Sequence, residues 1–291
     1  MTNDLIKETY TLSNGMTVPK IGFGCYNPKG GDTYGMIRRA IDAGYTYFDT
    51  ASLYETERAL GQAVKDSGKR REDFIIASKA WHDEMGAGNV REAFFRSLKR
   101  LQLDYIDLFL IHWPRPNTQC DWKKLDLETW SELEKLKEQG FIRALGVSNF
   151  LPHHLENLLD HSDTKPVVDQ MELHPGYLQE AAVRFCQEHE ILPQAWGPIG
   201  RGWIFQNSVV NDLSSKYGKS FAQICLRFLL QRGIQPMPKA MSEEHMWENA
   251  DVFDFEISRE DMWLMSCMPQ TDWLGEHPDL AIPQKASNPD Q

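Results

Sequence analysis

Long apolar runs are absent from this sequence, and so is an apolar leader. No stretch reaches the roughly 18 consecutive residues that a membrane-spanning helix requires. Residues 1–7 include Asp4 and Lys7 and lack the apolar core of a secretory signal peptide. These absences predict a cytoplasmic protein that does not act within a membrane.

Cysteine is scarce and irregularly spaced. The chain has five cysteines, none in a Cys-x-x-Cys pair, and an odd number does not suit a disulfide framework. The same scatter argues against a zinc knuckle. We expect free thiols at Cys25, Cys120, Cys186, Cys225 and Cys267.

Positively charged residues are fewer than negatively charged ones. Lys and Arg number 31 against 42 Asp and Glu, which gives a formal net charge of −11. This excess opposes binding to nucleic-acid phosphates or anionic lipids, so a small-molecule partner is favoured. No coiled-coil pattern indicates an obligate protein partner, and a monomer is expected.

A linker is also missing, since no Pro/Gly/Ser-rich stretch or charge run divides the 291 residues. The whole chain, 1–291, is therefore predicted to form a single domain. Hydrophobic residues make up 41% of the sequence, which is enough for a large core.

Apolar strand patterns alternate eight times with amphipathic helix patterns, which is typical of a (β/α)8 TIM barrel of the α/β class. The predicted strands are Lys20–Gly24, Tyr45–Asp49, Phe74–Lys79, Ile106–His112, Ala144–Ser148, Val167–Glu172, Leu192–Trp196 and Gln235–Lys239. The predicted helices are Gly31–Ala43, Glu55–Asp66, Val90–Leu101, Leu127–Gln139, Pro152–Leu159, Gln179–His189, Ser220–Arg232 and Ser242–Ala250.

Three additions flank the repeating units. Residues 9–18 are predicted to form an N-terminal β-hairpin, because Asn14-Gly15 supplies the positive φ values of a tight turn. Arg259–Met265 is predicted as an extra helix, and residues 276–291 as a loop-like tail.

Four side chains with complementary chemistry lie at or after strand ends: Asp49, Tyr54, Lys79 and His112. A tyrosine alone holds its proton to a pKa of about 10. We expect the Lys79 ammonium to lower that pKa while Asp49 holds the lysine, and His112, with both ring nitrogens partnered, to orient a carbonyl group. Because the carboxyl ends of barrel strands meet at one face, these residues predict a site that gives a proton to a carbonyl oxygen.

Other barrel chemistries fit less well. A barrel glycosidase needs two opposed carboxylates, yet the fourth and seventh predicted strands end in His112 and Trp196. A metal-dependent hydrolase would need a His-x-His pair on an early strand, and the sequence has none. No metal is expected.

Six motifs in register give the chain a wider resemblance. They are Phe48-Asp49-Thr50-Ala51 with Tyr54, Ser78-Lys79, Ile111-His112-Trp113-Pro114, Gly146-Val147-Ser148-Asn149-Phe150, Gln170-Met171-Glu172-Leu173-His174-Pro175, and Pro238-Lys239 with Glu248-Asn249. From about Tyr10 to Thr271 the chain resembles the aldo-keto reductases. Trp196-Gly197-Pro198 is similar to the microbial branch, which includes diketogluconate and methylglyoxal reductases.

The resemblance implies NADPH-dependent reduction of a small aldehyde or ketone, with Tyr54 as the general acid, Asp49 and Lys79 tuning it, and His112 orienting the substrate. It implies that the nicotinamide lies on Trp196 and that Ser148, Asn149 and Gln170 bond its carboxamide. The further cofactor-binding residues that it implies are Gly24, Cys25, Asp49, Gly197, Ile199, Lys239, Ala240, His245, Glu248 and Asn249.

The substrate pocket is expected to be aromatic, because Tyr26, Trp81 and Trp113 each follow a strand end beside a proposed functional residue. With His112 they are the predicted substrate-binding residues. A second hypothesis is that the protein has the same fold but does not catalyse a reaction. It would then be a sensor or scaffold that binds NADPH. Retention of all four proton-transfer residues favours the enzyme.

The chain departs from the family at the adenosine 2′-phosphate of NADP(H). Lys239 is kept, but Ala240 and His245 replace a hydroxyl residue and an arginine. An arginine presents a permanent forked set of donors, whereas histidines in general offer one and are largely neutral near pH 7. NADPH is still the expected cofactor, with weakened discrimination against NAD(H), and a His245→Arg change is expected to tighten NADPH selectively.

Overall fold

The computed structural model describes residues 8–270 and 277–280. Thr9–Thr11 (β1) and Thr17–Pro19 (β2) form the predicted antiparallel hairpin. Only Gly15 of the two turn residues is left-handed, with φ 84°, so the expectation of a positive φ at Asn14 is wrong. The reason is the bonding of the turn. The Gly15 N–H donates to the Leu12 carbonyl at 2.8 Å, and Asn14 accepts from the Met16 N–H through its side chain at 3.1 Å.

Eight parallel strands follow, each paired with its neighbours in chain order. They are β3 (Phe23–Gly24), β4 (Tyr47–Asp49), β5 (Ile75–Ala80), β6 (Ile106–Ile111), β7 (Ile142–Ser148), β8 (Val168–Glu172), β9 (Leu192–Trp196) and β10 (Gln235–Pro236). Hydrogen bonds from Gly22 N–H to the Pro236 carbonyl (3.1 Å) and from Gly24 N–H to the Pro238 carbonyl (2.9 Å) join the first strand to the last. The predicted (β/α)8 barrel is confirmed.

The two strands at this junction are shorter than predicted. Pro236 and Pro238 have no N–H to donate, so hydrogen bonds between β3 and β10 run in one direction only. Regular pairing therefore covers two residues on each side, although the backbones stay in contact as far as Pro238.

Ten helices cover the barrel within the described residues. They are α1 (Thr33–Asp42), α2 (Glu57–Asp66), α3 (Ala87–Leu101), α4 (Trp122–Glu138), α5 (Pro152–His161), α6 (Glu180–Glu188), α7 (Ser208–Tyr217), α8 (Phe221–Gln231), α9 (Glu243–Ala250) and α10 (Arg259–Ser266). None of them is long and apolar enough to cross a membrane.

The sequence prediction missed α7 and otherwise found each helix. The helix begins after the N-cap Asn207, whose side chain accepts from the Val210 N–H, and it buries only Val210 and Leu213. Two buried side chains make a weak periodic signal. The predicted tail, 276–291, lies outside the described residues except for a turn at 277–280.

Two apolar clusters fill the molecule. The larger one lies between the strands and the surrounding helices. In the smaller one, Leu12 and Val18 of the hairpin pack with barrel residues such as Tyr47, Leu108 and Leu110. The hairpin thus covers the amino end of the barrel, and the carboxyl end is left for a ligand.

Candidate active site

The four predicted proton-transfer residues lie together at the carboxyl end of the barrel. Lys79 Nζ donates to both carboxylate oxygens of Asp49 at 2.7 Å and to the Thr50 carbonyl at 3.0 Å. Tyr54 ends a short 3-10 turn (Ser52–Tyr54), and its hydroxyl lies 3.3 Å from His112 Nε2. Lys79 Nζ is 5.1 Å from the centroid of the Tyr54 ring. The lysine therefore contacts the ring of Tyr54, while its hydrogen bonds go to Asp49 and Thr50.

The pKa of Tyr54 differs from the expectation. Burial raises it well above its ordinary value, and the negative charge of Asp49 raises it further. The predicted net lowering is wrong for this structure, because burial, the larger cause, and the carboxylate of Asp49 both act in the opposite direction. Tyr54 thus keeps its proton near neutral pH and is held as a donor.

Burial also shifts the pKa values of Lys79 and His112. It lowers the pKa of Lys79, an effect that Asp49 opposes. Burial, followed by the charge of Lys79, lowers the pKa of His112 well below 6.5, so that the ring is neutral at pH 7. His112 Nδ1 is buried without a hydrogen-bond partner in the described part of the chain, contrary to the expectation that both ring nitrogens are partnered. Its Nε2 is the nitrogen that faces Tyr54.

Glu84 holds two of the loops that carry this site. Its Oε2 accepts from Ser52 Oγ at 2.6 Å and from the Trp81 N–H at 2.9 Å, and its Oε1 pairs with Arg96 at 3.1 Å. It thus ties the turn of Tyr54 to the loop after β5. Sequence reasoning missed Glu84, because only the fold brings Ser52 and Glu84 together.

The residues expected at the nicotinamide also form one bonded group. Asn149, at φ 60°, donates through Nδ2 to the His112 carbonyl (3.0 Å) and to Ser148 Oγ (3.1 Å). Its Oδ1 accepts from Trp196 Nε1 at 2.8 Å, which fixes the indole. Gln170 Nε2 donates to Asp49 Oδ1 at 3.0 Å.

This bonding decides what the group can offer a ligand. Both N–H bonds of the Asn149 amide are used within the protein, and Ser148 Oγ donates to the Gln170 carbonyl at 2.6 Å. Within residues 8–270 and 277–280, no donor bonds Gln170 Oε1. Gln170 Oε1, with the second lone pair of Asn149 Oδ1, therefore suits the N–H groups of a carboxamide.

The residues expected at the adenosine end surround the start of α9. Lys239 is half-buried and donates to Asn27 Oδ1 at 3.1 Å. Ala240 is buried, and the backbone N–H of His245 donates to the N-cap Ser242 while the side chain is exposed. Farther along α9, Glu248 is half-buried and Asn249 is buried.

The remaining cofactor candidates lie on the loops between these two ends. A Cβ at Gly24 would lie 3.1 Å from the Met237 carbonyl, so the barrel junction leaves little room for a side chain there. The Cys25 N–H donates to the Asp49 carbonyl at 2.8 Å, and burial raises the pKa of its thiol. Gly197 is left-handed, with φ 61°, and Ile199 is half-buried.

Two of the three pocket aromatics contact the catalytic side chains. The Tyr26 ring is 4.8 Å from the Tyr54 ring, and the Trp81 ring is 4.8 Å from the His112 ring. Tyr26 is 41% exposed and so available to a ligand. Trp113 follows His112 and is 4% exposed.

A separate cluster of His153, His154 and Asp279 has the side chains of a metal site. Its bonding argues against one. His154 Nδ1 accepts from the Leu151 N–H at 3.0 Å, so the proton of the neutral ring is on Nε2, the nitrogen facing Asp279. Arg115 lies 3.3 Å from the same Asp279 oxygen, so this carboxylate already has a positively charged partner. The cluster instead binds residues 277–280 to α5.

Comparisons with known proteins identify the family. The family model of the aldo/keto reductase family matches residues 20–266. The chain is 41% identical over 275 residues to glyoxal reductase of Bacillus subtilis (94% of this chain, 97% of the relative). It is 36% identical over 270 residues to methylglyoxal reductase DkgA of Escherichia coli K12 (92% and 96%).

Solved structures are similar over most of the chain. A Bombyx mori aldo-keto reductase in complex with NADP matches with a TM-score of 0.82 at 31% identity, covering 89% of this chain and 92% of that one. An aldo-keto reductase from a deep-sea metagenome matches with a TM-score of 0.89 at 33% identity (94% and 100%). The chain belongs to the aldo-keto reductase family and is an oxidoreductase of carbonyl compounds.

Proposed function

We propose that the protein reduces small aldehydes and ketones to alcohols with NADPH, and that Tyr54 is the general acid. The observation that carries the proposal is the pair formed by the Tyr54 hydroxyl and neutral His112, 3.3 Å apart at the carboxyl end of the barrel. The relatives named glyoxal and methylglyoxal reductase make small 2-oxoaldehydes the first substrates to test. From the sequence, we take the protein to be cytoplasmic and monomeric.

The residues fit a nicotinamide dinucleotide at both of its ends. Near the catalytic group, Trp196 is half-buried with its indole fixed by Asn149, and Gln170 Oε1 is available to a carboxamide. At the other end, Lys239 is a half-buried cation that suits an anion such as a phosphate. When bound, the cofactor supplies a hydride.

Side chains of the protein donate the proton to the carbonyl oxygen. A carbonyl oxygen placed between the Tyr54 hydroxyl and His112 Nε2 receives hydrogen bonds from both, and Tyr54 gives up its proton as negative charge develops on that oxygen. Lys79 stabilises the resulting phenolate, held by its two 2.7 Å bonds to Asp49. Trp81 and Tyr26 flank the two donors and limit the entry of water.

A Tyr54→Phe variant tests the proposal. It removes the transferable proton and keeps the ring, so we expect kcat/KM for a small aldehyde to fall by about 10² or more. NADPH affinity, measured by fluorescence titration, should be nearly unchanged. Tyr34→Phe is the matched control, because Tyr34 is an exposed tyrosine whose hydroxyl bonds Asp66. Wild-type turnover in Tyr54→Phe would refute the assignment of the acid.

The same assay separates the enzyme from a non-catalytic NADPH sensor on this fold. A sensor would bind NADPH tightly and consume none of it with a panel of glyoxal, methylglyoxal and aromatic aldehydes. An enzyme consumes NADPH in step with alcohol formation. The Tyr54–His112 pair favours the enzyme, because a sensor has no use for a half-buried proton donor beside a neutral histidine.

A further inference from the structure

The loop after β3 brings a second cation to the adenosine end of the site. Lys239 is held by Asn27, whose Oδ1 accepts from the Lys239 ammonium at 3.1 Å. Asn27 is itself buried, at 7% exposure. Two residues later comes Lys29, which is exposed.

Asn27 also fixes the turn that carries Lys29. The Gly30 N–H donates to the Asn27 carbonyl at 3.0 Å, closing a four-residue turn in which Pro28 restricts the backbone. Asn27 Nδ2 donates to the Gly30 carbonyl at 2.8 Å and to Thr33 Oγ1 at 3.0 Å. One side chain therefore joins the turn of Lys29, the start of α1 and the Lys239 ammonium.

Neither lysine forms an ion pair with a carboxylate of residues 8–270 or 277–280. Asp32, the acid nearest in sequence, caps α1 and pairs with Arg39. Burial lowers the pKa of Lys239, and the positive charge of Lys29 lowers it further, as two nearby ammonium groups should. Asn27 bonds Lys239 and closes the turn that carries Lys29, so this part of the molecule holds two lysines without a carboxylate partner among the described residues and suits a bound anion.

We propose that Lys29 is a second cationic contact for the adenosine 2′-phosphate of NADPH, with Asn27 as the positioning residue for both Lys29 and Lys239. The inference rests on the proposed function and identifies where its cofactor specificity comes from. Lys29 thus adds a second positive charge at the end of the site where Lys239 already lies.

The test is binding, measured without turnover. Calorimetric titrations with adenosine 2′,5′-bisphosphate and with 5′-AMP differ only by the 2′-phosphate, and fluorescence titrations compare NADPH with NADH. For Lys29→Gln we expect affinity for NADPH and the bisphosphate to fall about tenfold, the equivalent of one charge-assisted contact, with NADH and 5′-AMP within twofold of wild type. Lys29→Arg should restore tight binding.

Lys137→Gln is the control, since it makes the same charge change at the far end of α4. If Lys29→Gln binds NADPH as tightly as the wild type does, or loses NADPH and NADH affinity equally, Lys29 does not contact the 2′-phosphate and only this inference fails. If the wild type binds neither NADPH nor NADH, the proposed function fails as well.

Discussion

Lys79 is the residue on which the site's electrostatics depend. Its side chain is fully buried, and its ammonium makes two bonds to Asp49, which also accepts from Gln170 Nε2 at 3.0 Å. A buried ion pair of this kind contributes little net stability, but removal of one partner leaves an uncompensated charge. Lys79 therefore has two roles that measurements can separate. It supports proton transfer by Tyr54, which activity reports, and it neutralises Asp49, which stability reports.

We predict that Lys79→Met loses activity about 10²-fold or more and destabilises the protein by about 3–5 kcal/mol, because Asp49 is left buried without its cation. The double variant Asp49→Asn/Lys79→Met should regain most of that stability and remain inactive. Urea unfolding and aldehyde turnover measure the two effects separately. An active single variant with wild-type stability would contradict both roles of Lys79.

At the scale of elements, the sequence was sufficient for most of the barrel and for part of the site. Continuous apolar runs located the strands, because strands buried on both faces carry apolar side chains at successive positions, and the polar residues at the ends of these runs located Lys79 and His112. Glu84 and Asn27 left no such signal. Their partners, Ser52 and Lys239, are distant in the chain, so their positions depend on tertiary packing.

The pKa of Tyr54 is beyond sequence reasoning for a related reason. Sequence places a lysine and an aspartate near the tyrosine, but the sign of the shift depends on how deeply each is buried and which pair is closer. The structure puts Asp49 at 2.7 Å from Lys79 Nζ and the Tyr54 ring centroid at 5.1 Å. Burial is the largest cause of the rise in the Tyr54 pKa, ahead of the charge of Asp49.

Helix α5 contains a histidine that makes stability depend on pH. Burial, followed by the charge of His153, lowers the pKa of His154 to about 3, below the value of about 6.5 expected in the unfolded chain. Between these values the unfolded state binds a proton that the folded state excludes, so stability falls as pH decreases below about 6.5, by up to about 1.4 kcal/mol per pH unit. Above that pH the contribution is constant.

We predict that His154→Asn reduces this dependence, because an asparagine oxygen can still accept from the Leu151 N–H and does not titrate. Urea unfolding at pH 7.5 and pH 5 measures it: the drop in unfolding free energy should be smaller in the variant than in the wild type. His161→Asn, at an exposed position of the same helix, should keep the wild-type drop. Equal drops in all three proteins would show that His154 does not carry the effect.

Across the whole molecule, a chain of buried amides links the catalytic end of the barrel to the hairpin at the other end. Gln170 Nε2 bonds both Asp49 and Gln194 Oε1, the latter at 3.2 Å. Gln194 Nε2 donates to the Tyr47 hydroxyl at 2.9 Å and to Gln235 Oε1 at 2.7 Å. Gln235 Nε2 in turn donates to the carbonyl of Pro19 in the hairpin. These three buried amides therefore join four barrel strands, β4, β8, β9 and β10, to the hairpin.

Gln194→Leu tests the importance of this chain. The leucine has a similar size but leaves the Tyr47 hydroxyl, Gln235 Oε1 and one N–H of Gln170 buried without their partner, at about 1–3 kcal/mol for each group. We predict a loss of about 3 kcal/mol or more in unfolding free energy, measured by urea titration. Tyr47→Phe breaks only one of these bonds and should cost about 1–2 kcal/mol, which makes it the graded control. If Gln194→Leu were no less stable than Tyr47→Phe, the amides would be satisfied by other groups, and the chain would not link the two ends of the barrel energetically.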